Sequence, residues 1–349
     1  MVTMLDYINE EEDTLLKILE NHTLKEDENL AKIEHLMILA TGSSYNACLS
    51  AKMFLEKYGD LVVTIEEPYN FNHYGKLVPS VDAVVAVSQS GKSASTIDAI
   101  AKIKDQNVFH MALTSDLNSP ISKVVDQVID LQMGIEKVGF VTKGFVSTVL
   151  QMMLLGITIG FSKQKLSEKE VNEAKGQLKQ VIQQIPEVIN KSQNFFNNHQ
   201  PIFKLGQRFI AIGYGPAWGT AKEFETKFTE TVRKPSHGFE LEAYMHGPYL
   251  EADTQHILFF IENESINSKR SEALRSYMFI YVGDVFTITT KKAEANNTLG
   301  LEINCPEWIA PLVLIIPFQI FAFQTALSKG IDLNVRIFDD FDTVLKSKI

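Results

Sequence analysis

The chain has 349 residues, 45% of them hydrophobic and 22% charged, and a net charge of −10. That length is long for one core and implies two domains. The acidic balance, with no long basic cluster, excludes the electrostatic footprint of a nucleic-acid-binding protein. A phosphate held by such a chain has to be met by local dipoles and hydroxyls.

The opening stretch MVTMLDYINEEEDTLLKIL reads as an acidic amphipathic helix ending near Asn21. It has no positive region before an apolar core, so a signal peptide is not expected. A repeated pattern of apolar strand, small-residue loop and helix then begins. HLMILA (35–40) is the first strand, followed by TGSSYN and a helix from about Ala47 to Tyr58. LVVTIE (61–66) and AVVAVS (83–88) are the next strands; the latter leads through SQSGKSAST into a helix ending near Asp105. FHMALT (109–114), QVIDL (127–131) and an apolar helix over 143–161 complete the first half. Near-continuous apolar strands alternating with helices imply a parallel sheet covered on both faces.

Residues 163–200 are polar and mostly helical, and read as a connector. A second round follows: strand 208–213, loop YGPAWGT, helix 220–232, strand 256–261, helix 268–279, strand 284–289 and a long apolar helix 307–328. The chain therefore reads as an internal duplication of one α/β unit. The expected domains are an N-terminal helix (1–24), a first domain (25–162), the connector (163–200) and a second domain with its tail (201–349). The apolar windows Phe145–Phe161 and Ile309–Phe323 fall short of the roughly 18 residues of a membrane span, so no membrane partner is expected. Cys48 and Cys305 sit in apolar settings outside any CxxC or Cys/His cluster and read as reduced core residues. A cytoplasmic protein is expected.

SQSGKSAST contains Gly91-Lys92-Ser93, the tail of a nucleotide P-loop. The glycine such a loop needs five residues earlier is Ala86, inside the strand, so the spacing fails. What remains is Ser88, Ser90, Ser93 and Ser95 around Gly91, between a strand and a helix N-terminus, where free N–H groups and the helix dipole favour an anion. TGSS (41–44) repeats that chemistry after the first strand, and two such loops at neighbouring strand ends can enclose one phosphate. Taken singly, each loop reads equally well as turn formers and helix caps. The corresponding place in the second half, IENESINS, carries two carboxylates and no glycine, so the copies should differ in task.

Further on, Glu223, Lys227 and Glu230 fall at i, i+4 and i+7 on one helix face, which by itself reads as an ion-pair ladder. His246 precedes Gly247-Pro248. His237 reads as loop, and Arg233 and Lys234 either face water or meet an acidic ligand.

TGSS, SQSGKSAST and EKVGFVTKGF together resemble the sugar isomerase (SIS) family of phosphosugar-binding domains. KFTETVRKPSHGFELEAYMHGP resembles the active-site segment of the isomerase half of glucosamine-6-phosphate synthase. It is more similar still to the fructosamine-6-phosphate deglycases, stand-alone double-SIS enzymes. The likeness covers nearly the whole chain and implies two SIS domains, each a doubly wound, flavodoxin-like three-layer α/β/α unit.

The resemblance implies phosphate contacts at Ser44, Ser88, Gln89, Ser90 and Ser93, with Glu136, Val138 and Thr142 beside the sugar. It implies Glu230 as the proton-abstracting base, to be raised toward neutrality by burial in a cleft, with Lys227 contacting substrate or opposing that shift. His246 would open the sugar ring from a neighbouring subunit, so a homodimer or higher homo-oligomer with its site near the subunit interface is expected. No metal or other cofactor is implied. Glutamine hydrolysis is not expected, because no cysteine precedes Cys48. The family's C-terminal catalytic lysine aligns poorly with FDDFDTVLKSKI, where Lys346 and Lys348 are the candidates. The expected activity is deglycation of a ketoamine sugar 6-phosphate. The alternatives are an amino-sugar phosphate isomerase or deaminase, and a phosphosugar sensor without catalysis.

Overall fold

The structure, a computed structural model, describes residues 2–263, 265 and 267–349. Of IENESINS, Glu264 and Ile266 lie outside the described residues. The chain divides into two compact units. One comprises Asp13–Lys137, Lys143–Gly176 and Arg336–Ile349; the other comprises Met1–Glu12, Val138–Thr142 and Gln177–Val335.

The opening helix is two helices, α1 (Met4–Asn9) and α2 (Glu11–Asn21). A capping box between Thr3 and Asp6 starts the first: Thr3 Oγ1 accepts from the Asp6 N–H, and the Asp6 carboxylate accepts from the Thr3 N–H.

In the first-sheet unit, β1 (His35–Leu39), α3 (Ser43–Gly59), β2 (Val62–Glu66), α4 (Pro68–Tyr74), β3 (Ala83–Val87), α5 (Ala94–Ile103), β4 (Phe109–Thr114), β5 (Gln127–Asp130) and α6 (Lys143–Ser162) follow in order. The strands are all parallel, in the order β2-β1-β3-β4-β5. β3 is buried along its whole length, as its unbroken apolar run requires. It ends at Val87, so Ser88 belongs to the loop. Helix α3 starts at Ser43, ahead of the expected Ala47, because Gly42 takes φ +58 and turns the chain straight into the helix.

Helix α6 has 20 residues and is apolar enough to span a membrane by length and composition, contrary to the sequence estimate. Its most apolar window is nevertheless 89% buried within the protein. It packs against α3 so closely that a Cβ at Gly160 would lie 2.0 Å from the Tyr58 carbonyl oxygen. Cys48 is fully buried and its thiol is pushed up by desolvation. Cys305 is partly buried and pushed up to about 11 by the same cause.

After α7 (Glu168–Ile182) and α8 (Ile185–Leu205), the second unit contains β6 (Arg208–Gly213), α9 (Ala217–Thr231), β7 (Ser236–Glu240), α10 (Leu241–Met245), β8 (His256–Glu262), α11 (Ser268–Met278), β9 (Asp284–Thr289), β10 (Thr298–Gly300), α12 (Pro311–Leu314) and α13 (Ile316–Ser328). The strands are again parallel, in the order β10-β9-β8-β6-β7. Read from the other edge this is second-first-third-fourth-fifth, the same order as the first sheet. The duplication is therefore topologically complete.

Two of the second unit's strands were not foreseen. β7 carries His237, expected in a loop, and β10 has only three residues. The expected long helix 307–328 is broken at Ile315, because Pro317 supplies no N–H for a continuous ladder. The core here is aromatic: Phe259 lies 5.4 Å from Phe224 and 5.6 Å from Phe286, ring centre to ring centre, joining α9 to the sheet.

Candidate active site

In the first sheet the chain runs from β1 to β2 on one side and returns to β3 on the other. The loops after β1 and β3 therefore flank the point where strand order reverses, the place where open α/β sheets bind ligands. Both loops are the serine loops. Ser44 lies in the first turn of α3 and Ser93 is the N-cap residue of α5, so each adjoins helix N–H groups without intrahelical partners. Ser88 is buried and Ser90 exposed.

The loop after β3 is held rigidly. Ser115 donates to the Gln89 carbonyl through both its N–H (2.9 Å) and Oγ (2.7 Å), and the Gly91 N–H donates to the Ser88 carbonyl at 3.0 Å. Gly91 takes φ +65, and a Cβ there would lie 2.0 Å from Ser119 Oγ. No other residue fits this turn.

Gln89 and Glu136 converge. A Cβ added to Gly144, at the start of α6, would lie 2.8 Å from both Gln89 Oε1 and Glu136 Oε2. Gln89 Nε2 is a buried donor without a hydrogen-bond partner. An unpaired buried donor beside the serine loop is what an anion or hydroxyl ligand would satisfy. Val138 and Thr142 fall in the short segment assigned to the second unit. There Thr142 is buried, its Oγ1 donates to the Phe140 carbonyl at 3.1 Å, and its own carbonyl accepts from Gln319 Nε2 at 3.2 Å.

In the second unit, α9 sets Glu223, Lys227 and Glu230 in a row. Lys227 Nζ donates to Glu230 Oε2 at 2.5 Å and lies 3.6 Å from Glu223 Oε1. This is no solvated ladder, since the Glu223 and Lys227 side chains are 0% exposed. Glu230 differs from expectation: its side chain is 37% exposed in its own chain rather than buried in a cleft, with a buried ammonium directly against it. The row is placed by Glu225, whose carboxylate accepts from Lys222 Nζ (2.7 Å) and from the Gly238 N–H of β7 (2.8 Å).

His246 is the C-cap residue of α10 and 80% exposed, 3.9 Å from Glu242. Arg270 binds Glu242 with two hydrogen bonds and holds its carboxyl below the usual range. Arg233 has a left-handed backbone and a buried Nε without a partner, so it does not simply face water. Among the described residues no group of three or more His, Cys, Asp or Glu side chains is placed to hold a metal ion.

Sequence reasoning missed the C-terminal tail's position. After α14 (Phe341–Leu345), the backbone of residues 347–349 pairs with the serine loop. The Ala94 N–H donates to the Ser347 carbonyl (3.2 Å), the Ile349 N–H donates to the Lys92 carbonyl (3.1 Å), and Ser93 bridges Lys348. Asp342 fixes this turn, accepting from Ser347 Oγ (2.6 Å), Lys348 Nζ (3.1 Å) and Arg336 Nη2 (3.1 Å). Lys348 is thus engaged with Asp342, while Lys346 occupies a left-handed position with φ +51.

Residues 29–159 match the SIS domain model. The glutamine–fructose-6-phosphate aminotransferase (isomerizing) of Bacteroides thetaiotaomicron is 24% identical over 321 residues, covering 88% of this chain and 50% of that protein. The chain spans about half the length of the curated relatives it matches. A candidate phosphosugar isomerase from Clostridium difficile 630 superposes with a TM-score of 0.92 at 24% identity, covering 99% of this chain and 98% of its own. Glucosamine-6-phosphate deaminase from Thermotoga maritima superposes at 0.74 and 21% identity, covering 95% and 96%. The chain thus carries a SIS domain at residues 29–159, and its second unit repeats the strand order of the first sheet.

Proposed function

We propose that the chain is an enzyme acting on a ketoamine sugar 6-phosphate, releasing an aldose 6-phosphate and a free amine. The observation that carries this reading is the pair of serine loops at the reversal point of the first sheet, with the unpaired Gln89 Nε2 beside them. Ser44, Ser88, Gln89, Ser90 and Ser93 take the phosphate, and Glu136, Val138 and Thr142 the sugar chain. His246 assists ring opening. Its exposure in its own chain suits a histidine that works in the site of a second copy, so the active species is a homodimer or larger.

Glu230 removes a proton from C1, and the C1–C2 enolamine forms as the carbonyl oxygen at C2 gains a proton. Proton return to C2 gives the C1 imine, and water cleaves this to the aldehyde and the amine. Lys227, donating to Glu230, holds the carboxylate in place. A second reading, isomerisation or deamination of an amino-sugar phosphate, shares the same proton transfer; it is favoured by the likeness to the aminotransferase and the deaminase.

Substrate profiling by mass spectrometry separates these readings. Fructosamine 6-phosphates should give glucose 6-phosphate and free amine. Formation of glucosamine 6-phosphate from fructose 6-phosphate and ammonia would instead establish the second reading, and binding without turnover would leave only a sensor. Gly91→Ala tests the phosphate loop. The added methyl must push Ser119 aside and hold a left-handed backbone, at roughly 1–2 kcal/mol. Affinity for fructose 6-phosphate, measured by calorimetry, should fall by about tenfold or more; unchanged affinity would place the phosphate elsewhere.

A further inference from the structure

We infer that the first-sheet unit has an auxiliary site for a small uncharged molecule carrying an N–H or O–H donor on an apolar body. It is a cavity of about 220 Å³ beside the outer strand β5, lined among others by His22, Gln127, Val128, Gln151, Leu154 and Thr158. The serine loops follow β1 and β3 and contribute no residue to it.

The chemistry follows from the hydrogen-bond directions. The single hydroxyl hydrogen of Thr158 is committed to the Leu154 carbonyl at 2.9 Å, so Thr158 Oγ1 can only accept from His22 Nε2, 3.0 Å away. Nε2 therefore carries the ring proton, and Nδ1 is left as an acceptor. Nδ1 is buried without a partner, and so is Gln127 Oε1 of a second lining residue. Two buried acceptors without donors are a standing cost that a donor-bearing occupant removes. Burial, and then the charge of Lys175, depress the His22 pKa to about 4, so the ring remains a neutral acceptor across the physiological range. A carboxylate brings only acceptors and meets repulsion. The positive charge of Lys175, whose Nζ donates to the His22 carbonyl, disfavours a cation. The leucines of the wall, Leu30, Leu154 and Leu155, supply the apolar contact.

The probe is benzamide, titrated into the full chain with the histidine ring nitrogens observed by long-range ¹H–¹⁵N correlation. Methyl benzoate, of the same shape but without an N–H, is the control. The expected result is saturable benzamide binding with an upfield move of His22 Nδ1, and binding weaker by roughly tenfold for methyl benzoate and for His22→Phe. Gln127→Met keeps the volume, removes the other acceptor and should weaken benzamide by a similar factor, so the proposal stays testable if the histidine variant misfolds. Absence of saturable binding, equal binding of methyl benzoate, or a protonated Nδ1 at neutral pH would overturn it.

Discussion

Glu230→Gln should lower turnover of a ketoamine sugar 6-phosphate by between about 100-fold and 10,000-fold, the range general-base catalysis supplies. KM should change little, since the serine loops proposed to take the phosphate belong to the other sheet. The amide is nearly isosteric, and Lys227 keeps Glu223 as a partner at 3.6 Å. The lost pair is partly exposed on the Glu230 side and should cost no more than about 1 kcal/mol of stability. Steady-state kinetics with an unfolding curve on the same sample separates the two effects. A variant with full turnover, or one whose activity loss merely follows unfolding, would remove Glu230 as the base.

Lys227→Met should lower stability sharply as well as activity. Lys227 and Glu223 are both fully buried, so deleting the ammonium leaves a core carboxylate without this counter-charge. Breaking a buried pair in this way costs about 3–5 kcal/mol, whereas replacing both members by apolar groups is far cheaper. Glu223→Met with Lys227→Met should therefore be more stable than Lys227→Met alone, a strongly non-additive cycle. Both tryptophans, Trp218 and Trp308, lie in this unit, so urea unfolding followed by their fluorescence reports it directly. Additive losses would mean that the two charges are compensated independently. The stable double variant should still be inactive, because Lys227 also donates to Glu230.

The parts of the fold that were legible in the sequence are those set by local rules. β1, β3 and β8 are continuous apolar runs, and the TGSS and SQSG turns mark where strands yield to helices. β7 was not legible because Ser236–Glu240 offers one large apolar side chain, Phe239, and only partial burial. Its glycine has a tertiary reason: a Cβ at Gly238 would lie 2.0 Å from the Ala221 carbonyl of α9. The break at Ile315 was signalled by Pro317, but the apolar run concealed it.

The candidate site divides the same way. The order of Glu230, His246 and Gly247 in KFTETVRKPSHGFELEAYMHGP could be read, and so could the alignment of Glu223, Lys227 and Glu230. The burial of the first two and the exposure of the third could not, because a helical wheel does not say which neighbours cover it. The docking of residues 347–349 against Lys92–Ala94 left no trace in composition or period, because it is made mostly by backbone groups.

Under the proposed mechanism, a sugar phosphate held by the serine loops loses a C1 proton to Glu230 and regains one at C2. Turnover of a fructosamine 6-phosphate in deuterium oxide, followed by ¹H NMR, tests it most directly. The expected product is glucose 6-phosphate carrying solvent deuterium at C2, with both release and labelling lost in Glu230→Gln. Product formed at the same rate by that variant, or free amine appearing with no deuterium at C2, would contradict it.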